Sequence, residues 1–449
     1  MIEKLLKFLE NKRILILGMG VEGKSTYNFL RRNFPEKQLF IADRNTGLLN
    51  NIELMEDMNL EISLGEEYLN GIDEYDLIIK TPGISFKGID ISSFQNKITN
   101  QLQLLLEFVD VFTIGVTGTK GKSTTSSLIY QVLKAQEKNV FLLGNIGDPI
   151  FDSIEKLEKE SIAVLELSSH ELQYIKNSPN IAIWLNVYKE HLDFYETFEK
   201  YCDAKFNITK YQKDSDLLIY NYDNETMKKY SFRENDYAVS MVAEPNTKNK
   251  VFVQGEKVFC NNKFIMSTNM KINLKGMYNI NNILFVLSVC DILKLDFEKA
   301  LETIAEFKTL EHRLEFVGKY NGIEFYNNSI ATIPEATIQA ILALVNVNTV
   351  IVGGKDRGIS QEELIEFLAD SEVKNIICLP KTGEYIFDKM KNKNGKKLYY
   401  FEDLKNAVKI AKEITEPNTI CLLSPAASSY GYFKNFEERG KLFKKYVSE

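Results

Sequence analysis

Val111-Phe-Thr-Ile-Gly-Val-Thr-Gly-Thr-Lys-Gly-Lys-Ser-Thr124 is the stretch that decides the fold. Val111–Thr117 is a short apolar run suited to a buried strand, and a helical pattern begins at Lys122, so the glycines between form a strand-to-helix turn. Three glycines let backbone N–H groups point inward. A helix N-terminus stands behind them, and Lys122, Ser123 and Thr124 add a cation and two hydroxyls. These are the parts of a triphosphate cradle. Lys122 is therefore the candidate ATP lysine, with Gly118, Thr119, Lys120, Gly121, Ser123 and Thr124 as candidate ATP contacts. The loop misses the strict GxxxxGK[ST] spacing, because Val116 stands where the first glycine belongs.

Gly18-Met-Gly-Val-Glu-Gly-Lys-Ser25 does satisfy that spacing, and also GxGxxG. It follows the apolar run Arg13–Gly18, and Asp43 ends the next run about 20 residues on, as in a nucleotide-sugar or dinucleotide fold. Gly18, Gly20, Gly23 and Asp43 are thus candidates for a second ligand. The bland alternative is a tight turn packing helix on sheet, with Lys24 an exposed lysine at a helix start.

Working outward, strand and helix patterns alternate along most of the chain. Arg13–Gly18, Gln38–Asp43 and Asp76–Lys80 read as strands of a first series. Val111–Thr117, Val140–Leu143, Ile162–Leu167, Ile181–Val187 and Asp216–Tyr220 form a second. Gly322–Tyr326, Thr349–Val352, Asn375–Leu379 and Thr419–Leu423 form a third. Asp236–Met270 reads as a small antiparallel patch and Tyr278–Leu293 as a helix. At 449 residues the prior is about three domains. The alternation restarts near Asn100 and Thr309, so the expected division is 1–100, 101–309 and 310–449. The expected fold is α/β: a Rossmann-like N-terminal domain, a central P-loop ATPase-like domain with a mostly parallel sheet, and a Rossmann-like C-terminal domain.

Apolar residues make up 44% and charged residues 26%, which excludes a disordered or collagen-like chain. The net charge of −7 argues against a general nucleic-acid binder. Five cysteines without a CxxC pair give neither a disulfide framework nor a thiolate zinc site. No apolar run approaches a membrane span, and Met1–Glu10 lacks the apolar core of a signal peptide, so a cytoplasmic protein without membrane or nucleic-acid partners is expected.

Three histidines occur: His170, His191 and His312. Glu166 and His191 both lie just past strand ends, where ligands gather in α/β sheets, so both are candidates for one Mg²⁺ region. Mg²⁺ prefers oxygen, which leaves His191 equally readable as a core or surface histidine. Lys205, inside the helical stretch Thr197–Tyr211, reads on its own as a solvated lysine.

Thr117-Gly-Thr-Lys-Gly-Lys-Ser-Thr124 resembles the ATP loop of the Mur ligases, the ATP-dependent amide-forming enzymes of peptidoglycan assembly. Gly144-Asn145-Ile146-Gly147, Glu166-Leu-Ser-Ser169, Asn186…His191-Leu-Asp193, Ala204-Lys205, Gly276…Asn279…Asn282 and Glu311-His312-Arg313 match in order. Leu423-Ser-Pro-Ala-Ala-Ser-Ser429…Phe433-Lys-Asn-Phe436-Glu-Glu-Arg-Gly440 is similar to the branch that adds D-glutamate to UDP-N-acetylmuramoyl-L-alanine. The resemblance implies that the three domains hold the UDP-sugar, the ATP and the amino acid, in chain order, in a monomer. It implies catalytic roles for Lys122, Glu166, His191 and Lys205. Two Mg²⁺ ions would be served by Ser123, Thr124, Glu166, His191 and a carbamylated Lys205. Asn279, Asn282, Arg313 and Asn328 would face the nucleotide. Gly18, Gly20, Gly23, Asp43, Arg44, Thr81 and Asn145 would hold the UDP-substrate, and Arg357, Ser429 and Phe436 the D-glutamate.

The chain also departs from the family pattern. The usual Asn-Asp-Ser-Lys-Ala-Thr-Asn is here Asn327-Asn-Ser-Ile-Ala-Thr-Ile333, so an acid becomes Asn328 and a base becomes Ile330. His170 replaces a usual Phe and Tyr278 a usual His. These changes keep open a family member using another amino acid, and a non-catalytic nucleotide-binding relative.

Overall fold

The computed structural model describes residues 1–50, 52–190, 192–391 and 395–449, with no side-chain description for Ile52, Glu53, Leu192 and Asp193. The strands form three sheets. The first has the order Leu60–Leu64, Leu39–Asp43, Ile14–Leu17, Leu77–Lys80, Ile98–Thr99, all parallel. The second places Phe112–Thr117 between Ile181–Trp184 and Ile162–Glu166, with Val140–Gly144 at one edge. The third runs Glu315–Tyr320, Ile323–Asn327, Ile420–Leu423, Val347–Gly353, Asn375–Leu379, Lys397–Tyr400, parallel except for its first hairpin. The chain divides into two compact units. One comprises Met1–Met270 and Ile280–Ile304, and holds the first two sheets. The other comprises Lys271–Asn279 and Ala305–Glu449, and holds the third.

The apolar runs become strands because a parallel sheet is covered by helices on both faces, so the side chains of its inner strands are mostly buried. Ile14–Leu17, Ile181–Trp184 and Asn375–Leu379 are buried throughout. The helix Glu3–Glu10 contributes Leu5 and Leu9 to the same core as Ile14, Ile16 and Phe29. The five cysteines are buried and unpaired. Among the described residues no helix is long and apolar enough to cross a membrane.

Two readings of the sequence need correction. The Asp236–Met270 stretch is antiparallel only in its second half, from Asn249 to Ser267. Tyr237–Ser240 and Asn249–Gln254 extend the central sheet in parallel, and only Lys257–Cys260 and Lys263–Ser267 turn back antiparallel. Exposed strand edges accept such additions without a helical crossover, so the missing helix signal misled the reading. The strands Leu60–Leu64, Glu315–Tyr320 and Lys397–Tyr400 carry no clear sequence signal. They are edge or near-edge strands, half-buried and carrying Glu and Lys among their apolar residues, so they lack the continuous apolar signature.

The glycines of the Gly18–Gly23 turn are not equivalent. A Cβ on Gly23 would lie 2.1 Å from the Gly18 carbonyl oxygen, whereas one on Gly20 would meet nothing within 4 Å. Gly23→Ala is expected to cost about 3 kcal/mol of stability by overpacking. Gly20→Ala is expected to cost about 1 kcal/mol or less, as the loss of a helix-capping glycine. Thermal melts of the two variants check the order.

Candidate active site

The carboxyl ends of adjacent parallel strands carry the central site. Val116 pairs in register with Glu166, and Glu166 with Gly144, so the loops after three strands leave the sheet side by side. The helix Lys122–Ala135 starts at Gly121, whose φ of +88° demands glycine and whose Cβ would lie 2.5 Å from Asn282 Oδ1.

Asn186 shapes the loop. Its carbonyl accepts from Thr119 N–H at 3.1 Å, its Oδ1 from Lys120 N–H at 2.9 Å, and its Nδ2 donates to the Lys120 carbonyl at 2.9 Å. Thr119 Oγ1 lies 3.1 Å from the Tyr201 hydroxyl and accepts from Tyr188 N–H at 3.0 Å. Lys120 reaches outward to Glu190 at 2.8 Å.

Lys122 and Lys205 converge on one atom. Lys122 Nζ donates to the Gly118 carbonyl at 3.1 Å and Lys205 Nζ to the same oxygen at 2.9 Å. Lys205 projects from the helix Phe198–Lys210, is 1% exposed, and lies 4.9 Å from the centre of the Tyr201 ring. Burial first, and then the Lys122 charge, hold its pKa well below the usual lysine range. The solvated lysine of the sequence-only reading is therefore a buried amine beside the phosphate loop.

Glu166 is 2% exposed. Its Oε1 accepts from Asn145 Nδ2 at 3.0 Å, while its buried Oε2 has no hydrogen-bond partner. Gly144 passes close to the Glu166 backbone, where a Cβ would lie 2.5 Å from the carbonyl oxygen. A buried carboxylate oxygen left without a partner fits a hard divalent cation such as Mg²⁺. Among the described residues no group of three His, Cys, Asp or Glu forms a metal cluster, and His191 lies outside the described residues. Beyond Glu166, Ser168 and Glu171 form a capping box, with Ser168 N–H donating to Glu171 Oε2 at 2.7 Å. Burial raises the Glu171 pKa to about 7. His170 packs edge-on against Phe194.

In the first sheet, Gly18, Asp43 and Thr81 meet. Asp43 Oδ2 accepts from Met19 N–H at 2.6 Å and Oδ1 from Asn45 N–H at 2.7 Å. Thr81 Oγ1 donates to the Leu17 carbonyl at 3.1 Å and would lie 2.1 Å from a Cβ on Gly18. Arg44 is exposed and paired with Glu66 at 2.7 Å.

In the second unit, Asn328 is buried and both ends of its amide are used. Oδ1 accepts from Leu314 N–H at 3.2 Å and Nδ2 donates to Ser424 Oγ at 3.0 Å. Asn279 donates to the Lys275 carbonyl at 2.7 Å. Arg313 lies between His312 and Leu314, both with positive φ. Arg357 is exposed and lines a shallow hollow with Thr332 and Gln361. Ser429 is buried and lines the neighbouring hollow, whereas Phe436 starts the last helix and lines neither. Sequence reasoning gave no role to Tyr201, Glu171 or Arg439. All three are buried polar side chains in or beside a recognisable motif, which was the available signal.

Comparison with known proteins matches residues 116–290 to the Mur ligase middle domain and residues 312–427 to the Mur ligase glutamate ligase domain. A UDP-N-acetylmuramoylalanine–D-glutamate ligase of Clostridium tetani is 32% identical, covering 98% of this chain and 97% of its own. One of the same name from Clostridioides difficile is 31% identical, over 98% and 99%. Among solved structures, the UDP-N-acetylmuramate-alanine ligase of Thermotoga maritima superposes with a TM-score of 0.63 at 20% identity, over 98% of this chain and 100% of that one. A MurF ligase from the same organism, in complex with ADP, gives 0.59 at 17% identity, over 98% and 96%. Sheets, loops and full-length similarity agree: the chain belongs to the Mur ligase family of ATP-dependent, amide-forming ligases.

Proposed function

We propose that this chain joins D-glutamate to UDP-N-acetylmuramoyl-L-alanine in the cytoplasmic synthesis of peptidoglycan precursors, converting ATP to ADP and phosphate. The observation that carries the choice of amino acid is similarity running through the third sheet as well as the first two, to relatives bearing that name. Three functional domains, 1–100, 101–309 and 310–449, would hold UDP-substrate, ATP and amino acid in a monomer.

The chemistry follows from charge. A carboxylate is a poor electrophile, and phosphorylating it gives an acyl phosphate with a good leaving group. Bringing a carboxylate onto a triphosphate gathers negative charge, which Lys122 and the N–H groups of Gly118–Thr124 offset. Lys122 now rests on loop carbonyls; with ATP bound it would turn to the phosphates. Ser123, Thr124, Glu166, His191 and carbamylated Lys205 would hold two Mg²⁺ ions, which when bound supply further positive charge against the phosphate oxygens.

Carbamylation of Lys205 needs an unprotonated amine. The nitrogen lone pair attacks CO₂, an N–C bond forms, and one proton leaves. Burial beside Lys122 favours that neutral amine, and the product exchanges a poorly placed second cation for an anion. Asn145 would hold the acceptor substrate near its reacting carboxylate. Gly18, Gly20, Gly23, Asp43, Arg44 and Thr81 would hold its uridine end. Asn279, Asn282 and Arg313 would face the nucleotide. Asn328 would line that site from within, its amide spent on Leu314 and Ser424, so a ribose contact would fall to other groups. Arg357, Ser429 and Phe436 would hold D-glutamate, whose amine attacks the acyl carbon and expels phosphate.

Phosphate release from ATP with UDP-N-acetylmuramoyl-L-alanine is expected with D-glutamate and not with L-glutamate, L-lysine or meso-diaminopimelate. Release with another of these would reassign the amino acid, and release with none would remove the catalytic reading. Lys205→Ala is expected to lower kcat at least about 100-fold, in the range of a lost positioned catalytic group. Added formate or acetate should restore part of it. Full activity of the variant without either, in bicarbonate-free buffer, would refute the carbamate.

A further inference from the structure

Arg439, in the helix Phe436–Ser448, is 1% exposed, yet among the described residues no carboxylate pairs with it. Its Nε donates to Ser329 Oγ at 3.0 Å, its Nη2 to the Ser329 carbonyl at 2.7 Å, and its Nη1 to the Ala427 carbonyl at 3.1 Å. Burial pushes its pKa down to about 9. An unpaired buried cation is costly, so its presence asks for a reason beyond filling space.

The reason lies in what it joins. Ser329 belongs to the loop after Ile323–Asn327 and Ala427 to the loop after Ile420–Leu423, and these two strands are parallel neighbours. Ser329 Oγ in turn donates to the Phe436 carbonyl at 2.8 Å. A third loop closes in at Gly354, where a Cβ would lie 3.2 Å from Arg439 Nη1. One planar fork thus ties two loops to the last helix, with the Gly354 loop packed against it, a reach that lysine's single nitrogen lacks. Arg439 also lines a hollow of about 180 Å³, with Gly353, Gly354, Ser428, Ser429 and Phe433.

We propose that Arg439 is a positioning residue for the amino-acid substrate: by joining Ser329 to Ala427 it fixes Ser429 and Phe436, while its unneutralised charge favours an acidic ligand. The inference rests on the D-glutamate reading above. The next residue supports the same role for this helix. Gly440 packs on His312, where a Cβ would lie 2.2 Å from Nδ1, and Asn327 Nδ2 lies 2.9 Å from that nitrogen.

The test is steady-state phosphate release by the full chain. Arg439→Ala is expected to raise the KM for D-glutamate at least about tenfold, as loss of charge-assisted hydrogen bonds implies. The KM for the UDP-substrate should stay within about twofold, because that site uses other bonds. Methylguanidinium, admitted through the hollow, should restore most of the KM. Ser329→Ala, a small change that removes one bond of the fork, should shift the same KM in the same direction, and the double variant should fall short of the sum. Arg439→Lys should remain impaired. A uniform fall in kcat without a KM change, no rescue by methylguanidinium, additivity of the two variants, or wild-type behaviour of Arg439→Lys would each overturn the proposal. If Arg439→Ala does not fold, an unchanged D-glutamate KM in Ser329→Ala overturns it alone. A wild-type chain that releases no phosphate with D-glutamate fails the functional reading itself, separately from these outcomes.

Discussion

Two lysines sharing the Gly118 carbonyl set the terms for the centre of this molecule. One of them, Lys205, is sealed from water. Two cations on one acceptor in a poorly polarisable surrounding repel each other, so the buried member favours losing its proton. The rest of the site is consistent with that pressure. The loop that presents the carbonyl is held by Asn186, the helix that presents Lys205 bonds the loop again through Tyr201, and the nearest strand end supplies a carboxylate with one oxygen unspent.

Much of this was legible in the amino-acid sequence, for physical reasons. Buried parallel strands read as unbroken apolar runs, and Phe112–Thr117, Ile162–Glu166 and Asn375–Leu379 lie within a residue or so of where such runs place them. A phosphate loop needs glycine where φ is positive, so Gly121 announced itself. Lys205 did not. Its burial depends on a helix packing against a strand some 90 positions earlier, and local composition carries no trace of that; only its resemblance to a family motif raised it above a surface lysine. His191 lies where the structure offers no description, so its place rests on the motif.

The third sheet taught a different lesson. Asn328 and Ile330 stand out in the sequence as a lost acid and a lost base. In the structure Asn328 is satisfied at both ends of its amide, accepting from a backbone N–H and donating to a serine hydroxyl. A carboxylate there would have no proton to donate, and Ser424 would have to reverse its role. The neutral side chain is thus locally self-consistent, which pattern comparison alone could not reveal. Arg439 makes the complementary point: it sits inside a quoted motif, but its function depends on which loops lie within reach of its fork.

The Asn186 clamp has one further consequence. With its carbonyl and both ends of its side-chain amide already bonded to Thr119 and Lys120, the phosphate loop is ordered before any nucleotide arrives. The entropy of arranging those N–H groups is spent during folding rather than on each turnover, so more of the binding free energy of ATP remains available to hold the reacting phosphate in line. An asparagine that holds the loop from the neighbouring strand's end thereby contributes to how tightly the nucleotide is held.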